Sequence, residues 1–273
     1  MISCGEASGD LYAGALVRAL RRRDPRIQAF GFGGRHRAAA GADLVGDYAR
    51  FSVTGLVEAL SVVPRSFKML RTLRDAAIER KPDVFVAIDF PDFNLRLLPG
   101  LHDLGVPIVY YISPQLWAWR PGRIEQIRRY VSKMLVIFPF EEAIYVKAGV
   151  PVELVGHPLI ELASASQPRD EWLRAHGLDP ARPVVALLPG SRPNEIRLLL
   201  SVLIDAALLI ARRVPGVQFV IARAPSLPDS LFAAARSSSV PIAIAERETD
   251  DVLASADVVV TASGTATVQT AIH

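Results

Sequence analysis

The stretch Val184-Val185-Ala186-Leu187-Leu188-Pro189-Gly190-Ser191-Arg192-Pro193-Asn194-Glu195 constrains the fold more than any other part of the chain. Five consecutive apolar residues make a strand buried on both faces, Pro-Gly ends it, and a helix-period apolar pattern runs from Ile196 through Ile210. Strand, tight turn and helix form the unit of a parallel α/β sheet. The first N–H groups of a helix lack internal partners and carry positive potential, so such a turn suits an anion. Gly190 lets a ligand approach the backbone, Ser191 offers a hydroxyl, and Arg192 offers a guanidinium fork matched to phosphate oxygens. An ordinary βα turn with a solvated arginine accounts for the same spacing, and the turn is neither the Walker loop nor the dinucleotide fingerprint.

The same alternation runs through the whole chain. Ile2-Ser3-Cys4 reads as the end of a buried strand, followed by Gly5-Glu6-Ala7-Ser8-Gly9-Asp10 and a helix with Leu11, Ala15, Leu16, Ala19 and Leu20 inward. Glu6, Ser8 and Asp10 place polar groups at a strand's carboxyl end, where open α/β sheets bind ligands. Two carboxylates there disfavour a bare phosphate and suit sugar hydroxyls; helix capping by Ser8 or Asp10 is the structural alternative. A strand over 27–32 and an Ala-rich helix follow. Residues 84–88 form the clearest buried strand, and it ends at Asp89, placed to reach a ligand and, if partly desolvated, to take a proton from a hydroxyl. Beyond a strand over 108–112, Gln115 offers hydrogen bonds, while Trp117 and Trp119 suit a wall for a sugar or an acyl chain and equally suit a core. Strands over 134–138 and 152–155 complete a first domain, 1–160.

Residues 164–183, rich in Ser, Pro, Arg and Asp, read as a connection into a second domain, 161–273. There strands are expected at 184, 217–221, 241–244 and 258–261, with helices between them. The last turn, Ser263-Gly264-Thr265, repeats the anion-binding arrangement, and Gln269 lies one helical turn on. Two such turns fit a nucleotide diphosphate better than one. The chain stops at His273 in mid-helix, which suggests a truncated C-terminal part.

The balance of 31 basic against 28 acidic residues leaves +3, too little to argue for wrapping nucleic acid. A single cysteine, Cys4, allows no internal disulfide and no usual thiolate zinc site, which points to a reducing compartment, the cytosol. His157 has no second histidine or cysteine at metal spacing, so no metal is expected. The longest apolar stretch, 198–211, is interrupted by Ser201 and Asp205 and is not expected to span a membrane. Residues 51–64 are apolar with few charges, and Arg65, Lys68, Arg71 and Arg74 follow at helical spacing among Phe67, Met69, Leu70 and Leu73. A patch of Leu56, Val57, Leu60, Val63, Phe67 and Leu70 beside these cations fits an anionic bilayer surface; core packing under a solvated basic face fits equally.

Seven ordered motifs resemble the lipid-A-disaccharide synthase family. They are Gly5-Glu6-Ala7-Ser8-Gly9-Asp10; Lys81-Pro82-Asp83-Val84; Ile88-Asp89 with Pro91-Asp92-Phe93-Asn94; Ser113-Pro114 with Trp117-Ala118-Trp119-Arg120; Val155-Gly156-His157; Leu187-Leu188-Pro189-Gly190-Ser191-Arg192; and Ser263-Gly264-Thr265-Ala266. The resemblance implies two Rossmann-like domains facing across a cleft, the glycosyltransferase B-type fold, with the acyl-sugar acceptor in the first and the UDP-sugar in the second. The implied reaction moves 2,3-diacylglucosamine from its UDP derivative to 2,3-diacylglucosamine 1-phosphate. It forms a β-1,6 disaccharide with inversion, without metal or cofactor. Through the resemblance Asp89 and Arg192 are required for activity, Asn94 and Trp119 join the substrate surface, and 56–70 assists contact with the inner face of the inner membrane. A homodimer is implied on the same ground.

The sequence departs from the family in a short first strand, in the absence of the further segments that follow the position of His273, and in Gln269 where glutamate is common. In related transferases that position contacts ribose hydroxyls. Two other readings fit the same architecture: a non-catalytic nucleotide- or lipid-binding relative, and a UDP-sugar epimerase, which needs no acceptor.

Overall fold

The computed structural model describes residues 1–48, 56–116, 121–225 and 227–273, and for 56–63 the backbone alone. They fall into two compact units, Met1–Pro158 and Leu159–His273.

The first unit alternates strands and helices as β1 (Ile2–Cys4), α1 (Ala7–Arg23), β2 (Phe30–Gly33), α2 (Arg35–Ala39), β3 (Asp43–Asp47), α3 (Leu56–Arg80) and β4 (Phe85–Ile88). It continues with α4 (Pro91–His102), β5 (Ile108–Tyr111), α5 (Arg123–Tyr130), β6 (Lys133–Val136), α6 (Pro139–Lys147) and β7 (Val152–Leu154). Among the described residues these strands form one parallel sheet in the order β3-β2-β1-β4-β5-β6-β7. Phe32, Phe85, Ile108, Tyr110 and Met134 from the strands pack with Leu73, Leu98 and Leu101 from α3 and α4, all fully buried. Each such side chain contributes roughly 1.5–3 kcal/mol, which is why apolar runs of strand length sit in the middle of the sheet.

Two local expectations are corrected, and one strand had no sign in the sequence. Residues 43–47 form β3, although Asp43, Gly46 and Asp47 give them no strand signature; pairing with β2 decides it. Helix α1 begins at Ala7 and buries Gly9, Tyr12, Ala13 and Val17, while Leu11, Ala15, Leu16, Ala19 and Leu20, expected inward, are only half-buried. The apolar stretch and the basic helix are one helix, with Pro64 inside α3. The proline removes a single i to i−4 bond, and burial of Leu73, Ala76 and Ala77 anchors the turns beyond it.

The second unit contains α7 (Leu159–Leu162), α8 (Arg169–Ala175), β8 (Val184–Leu188), α9 (Pro193–Arg213), β9 (Gln218–Arg223) and a 3-10 turn, Asp229–Phe232, that runs into α10 (Ala233–Arg236). It ends with β10 (Ile242–Glu246), α11 (Thr249–Ser255), β11 (Val258–Thr261) and α12 (Thr265–Ile272). Its parallel sheet has the order β10-β9-β8-β11 among the described residues. The stretch expected to be a connection is part of this unit's core. Trp172 and Leu173 of α8 are fully buried against Val184, Ala186 and Val252, and Trp172 Nε1 donates to Glu248 at 2.5 Å. Polar composition concealed one buried tryptophan, and the buried Asp251 carboxylate ties the same segment down by accepting from Ser166 N at 2.6 Å and Gln167 N at 3.3 Å.

Candidate functional site

The first sheet reverses its winding between β1 and β4, where Cys4 pairs with Ile88. Ligands of open α/β sheets lie outside the carboxyl ends of the strands at such a reversal. Gly5-Glu6 continues from β1 and Asp89 from β4, so Glu6 and Asp89 leave adjacent strands at this point. Glu6 is the exposed N-cap residue of α1, and Ser8 is half-buried in the first turn.

Asp89 is half-buried and its backbone is left-handed, φ 45°, as is that of Phe90, φ 50°. Two successive non-glycine residues in this region cost of order 1–3 kcal/mol each unless their surroundings fix them. Here they are fixed. Asp89 N donates to Tyr111 O at 3.1 Å, and the Asp89 carbonyl accepts from Asn94 Nδ2 at 2.7 Å and from Tyr110 Oη at 2.9 Å. The Phe90 ring stacks on Phe93 with centroids 5.4 Å apart, and it fills the space that a Cβ on Gly5 would need. Gly5 therefore makes room for Phe90, not for a ligand.

Two residues expected to meet substrate are used by the fold instead. The Asp10 carboxylate is fully buried and accepts from Gly34 N at 2.7 Å, His36 N at 2.8 Å and Arg37 N at 3.3 Å, which caps α2. Asn94 is also fully buried: it accepts from Ser3 Oγ at 2.6 Å and spends its amide on the Asp89 carbonyl. A local helix pattern gives no sign that either group will be needed by a distant backbone. Gln115 is exposed next to the buried Ser113, whose hydroxyl donates to Glu141 at 2.6 Å; Trp119, with Trp117, lies outside the described residues.

The sequence reading overlooked the aromatic groups near this strand end. The buried Tyr12 ring meets His157 edge-on at 6.2 Å, and His157 tilts against Phe138 at 5.6 Å. Burial, then the charges of Tyr111 and Asp89, push the Tyr12 phenol well above its ordinary range, so it stays protonated. Burial lowers the His157 pKa, which keeps the imidazole neutral at pH 7.

In the second unit the winding reverses between β8 and β11. Thr261 pairs with Leu188, and Ala262 N donates to Leu188 O at 2.9 Å, so the turns 189–192 and 262–265 lie side by side. Ser191, Arg192, Ser263, Gly264 and Thr265 are exposed. The first turn's donors already hold an anion, the carboxylate of Glu195. Its Oε2 accepts from Ser191 N at 2.8 Å and Arg192 N at 3.1 Å, and its Oε1 accepts from Arg192 Nη1 at 3.2 Å. Gly190, φ 115°, leaves the space this carboxylate occupies, since a Cβ there would overlap Glu195. In the second turn Gly264 N donates to Thr267 Oγ1 at 3.1 Å, and a Cβ on Gly264 would meet open space. Gln269 turns to α11, where its Nε2 donates to Asp250 Oδ1 at 2.6 Å, and His273 Nε2 lies 2.9 Å from the same oxygen. Glu195 and Asp250 are thus two acids at this end that the motif reading did not weigh.

Of the expected membrane patch, Leu56, Val57, Leu60 and Val63 belong to α3 with side chains outside the described residues. Leu70 packs against the first unit's core, while Phe67 is 54% exposed, with Arg96 over its ring. Arg65, Lys68, Arg71 and Arg74 are all exposed. Among the described residues no helix is long and apolar enough to cross a membrane.

The chain matches the family described as lipid-A-disaccharide synthetase over residues 1–273. It is 44% identical to the lipid-A-disaccharide synthase of Geobacter metallireducens over 273 residues, all of this chain and 71% of that one. It is 45% identical to that of Koribacter versatilis over 276 residues, again all of this chain and 71% of the relative. Among solved structures it resembles UDP-GlcNAc 2-epimerase from Neisseria meningitidis bound to UDP-GlcNAc, with a TM-score of 0.69 at 12% identity over 96% of this chain and 77% of that one. A calicheamicin glycosyltransferase gives a TM-score of 0.55 at 16% identity over 99% and 75%. At these identities the structural likeness speaks to the fold alone, two parallel α/β units of the glycosyltransferase B type.

Proposed function

The chain belongs to the lipid-A-disaccharide synthetase family, and from that premise we propose how its two strand-end sites divide one glycosyl transfer. The protein is a glycosyltransferase of lipid A biosynthesis. Its donor is a UDP-activated 2,3-diacylglucosamine and its acceptor 2,3-diacylglucosamine 1-phosphate; the products are the β-1,6 disaccharide 1-phosphate and UDP.

Asp89 is the general base. A half-buried carboxylate at the winding reversal, fixed in backbone by three hydrogen bonds, suits removal of the proton from an acceptor hydroxyl as its oxygen attacks the anomeric carbon. The anomeric carbon–oxygen bond to UDP breaks from the opposite side, giving inversion. Arg192 and the N–H groups of the two adjoining turns take up the negative charge on the departing diphosphate. Glu6 and Ser8 stand by the same strand ends as Asp89 and offer hydrogen bonds to sugar hydroxyls. The observation that carries this reading is the left-handed, clamped Asp89 at the first unit's reversal, since strain of this kind persists where function needs it.

The protein also works at a membrane surface. The exposed Arg65, Lys68, Arg71 and Arg74, with Phe67 among them, suit peripheral contact with anionic lipid at the cytoplasmic face of the inner membrane.

The test is UDP release from UDP-2,3-diacylglucosamine with and without acceptor. Release that requires acceptor and falls roughly 100-fold or more in Asp89→Asn is expected for loss of a general base. Conversion of the UDP-sugar without acceptor would instead favour an epimerase, and undiminished turnover in Asp89→Asn would remove Asp89 from its role.

A further inference from the structure

The carbonyl of Asp89 is held by two side chains that the reaction itself does not use. Tyr110 is fully buried in the middle of β5, where its ring belongs to the core, yet its hydroxyl donates to Asp89 O at 2.9 Å. Asn94, one turn into α4 and fully buried, donates to the same oxygen at 2.7 Å. Ser3 in β1 orients Asn94 by donating to its Oδ1 at 2.6 Å. Two elements that follow β4, α4 and β5, thus converge on one backbone oxygen, and β1 orients one of the two donors. A carbonyl that rotates away from these donors strands the buried Tyr110 hydroxyl, at about 1–3 kcal/mol, and leaves Asn94 Nδ2 only its longer bonds to Ser3 O and Ile88 O at 3.4 Å. That cost exceeds what an unsupported left-handed aspartate gains by relaxing to an ordinary conformation. A relaxed backbone would swing the Cα–Cβ bond, and the carboxylate with it, away from the strand end.

The geometry assigns Tyr110 and Asn94 as positioning residues that lock Asp89 in the left-handed conformation aiming its carboxylate at the acceptor. This rests on the reading of Asp89 as the base. Neither residue needs to touch substrate: burial keeps both polar groups on the backbone, and the effect reaches the chemistry through the direction of one side chain.

The experiment is a double-variant cycle on the protein, read as UDP release with UDP-2,3-diacylglucosamine and acceptor. Tyr110→Phe keeps the ring and removes one donor. It is expected to lower kcat roughly ten- to a hundredfold, the scale of a misplacement near 1 Å, with KM changed less than twofold. In an Asp89→Asn background the same change is expected to cost less than twofold, because the group being aimed is already gone. A merely structural role for Tyr110 predicts an equal fractional loss in both backgrounds, and that result overturns the assignment. So does a kcat unchanged in Tyr110→Phe while Asp89→Asn is inactive, an outcome that leaves the base intact. Full activity in Asp89→Asn itself would instead strike the underlying reading. If Tyr110→Phe does not fold, Asn94→Ala in the same cycle tests the second donor on that oxygen.

Discussion

The two winding reversals share a topology and use their polar groups in opposite ways. In the first unit Asp10, Asn94 and Ser3 are fully buried and engaged with one another or with backbone, and Asp89 is left half-buried on the platform they make. In the second unit the turn donors are exposed and held by nearby side chains, Glu195 on one turn and Thr267 on the other. A buried network fixes a direction because any rearrangement leaves groups without partners, whereas a half-buried carboxylate on an exposed N–H pair can be exchanged for another anion at smaller cost. The first arrangement suits a base that must point one way. The second suits a leaving group that must come and go.

The comparison breaks first at Asp10. Replacing it by alanine strips α2 of its cap and leaves buried N–H groups unpaired, so denaturant unfolding is expected to show a loss of roughly 2–4 kcal/mol, with Asp10→Asn milder because its oxygen still accepts. If Asp10→Ala leaves stability intact and raises the KM for the acyl sugar, the residue belongs with substrate after all. Gly190→Ala comes next. An alanine at φ 115° that also displaces Glu195 is expected to cost about 1–2 kcal/mol in the second unit.

Glu195→Gln sharpens the contrast at the scale of about 0.4–1 kcal/mol. Removing a negative charge from the first helical turn is expected to tighten UDP binding roughly two- to fivefold by titration calorimetry, at a small cost in stability. Unchanged or weaker UDP binding would mean that the carboxylate does not stand in for the ligand's charge. The smallest effect concerns pH. Burial lowers the pKa of both His36 and His157, so as pH falls below about 6.5 the unfolded chain takes up protons before the folded one does. Stability is therefore present above that range and declines from pH 7 toward pH 5, and His157→Gln is expected to flatten part of the slope in thermal melts.

Much of this was legible in the residue order. The apolar run at 184–188 coincides with β8 because a strand buried on both faces needs an unbroken apolar sequence, and the β-branched run at 258–261 coincides with β11. Asp89, Ser191, Arg192, Ser263, Gly264 and Thr265 were placed at strand ends by the turn chemistry alone, and the structure puts them there. The motif Gly5-Glu6-Ala7-Ser8-Gly9-Asp10 was legible as special but not as to purpose: Gly5 answers the Phe90 ring and Asp10 answers the α2 terminus. Those partners lie far along the chain, and no local period encodes them.

The sequence by itself determined that this is a parallel α/β protein and where its strands end in polar turns, because periodicity and turn residues act over a few positions. Only the tertiary structure decided which of those polar groups the fold buries. Asp10 and Asn94 read in the sequence as polar strand-end residues like Glu6 and Asp89, and they differ because each is buried on backbone groups that had to be satisfied. Long-range hydrogen bonding, set by how the strands order themselves in the sheet, separates residues that build the site from residues placed to act in it.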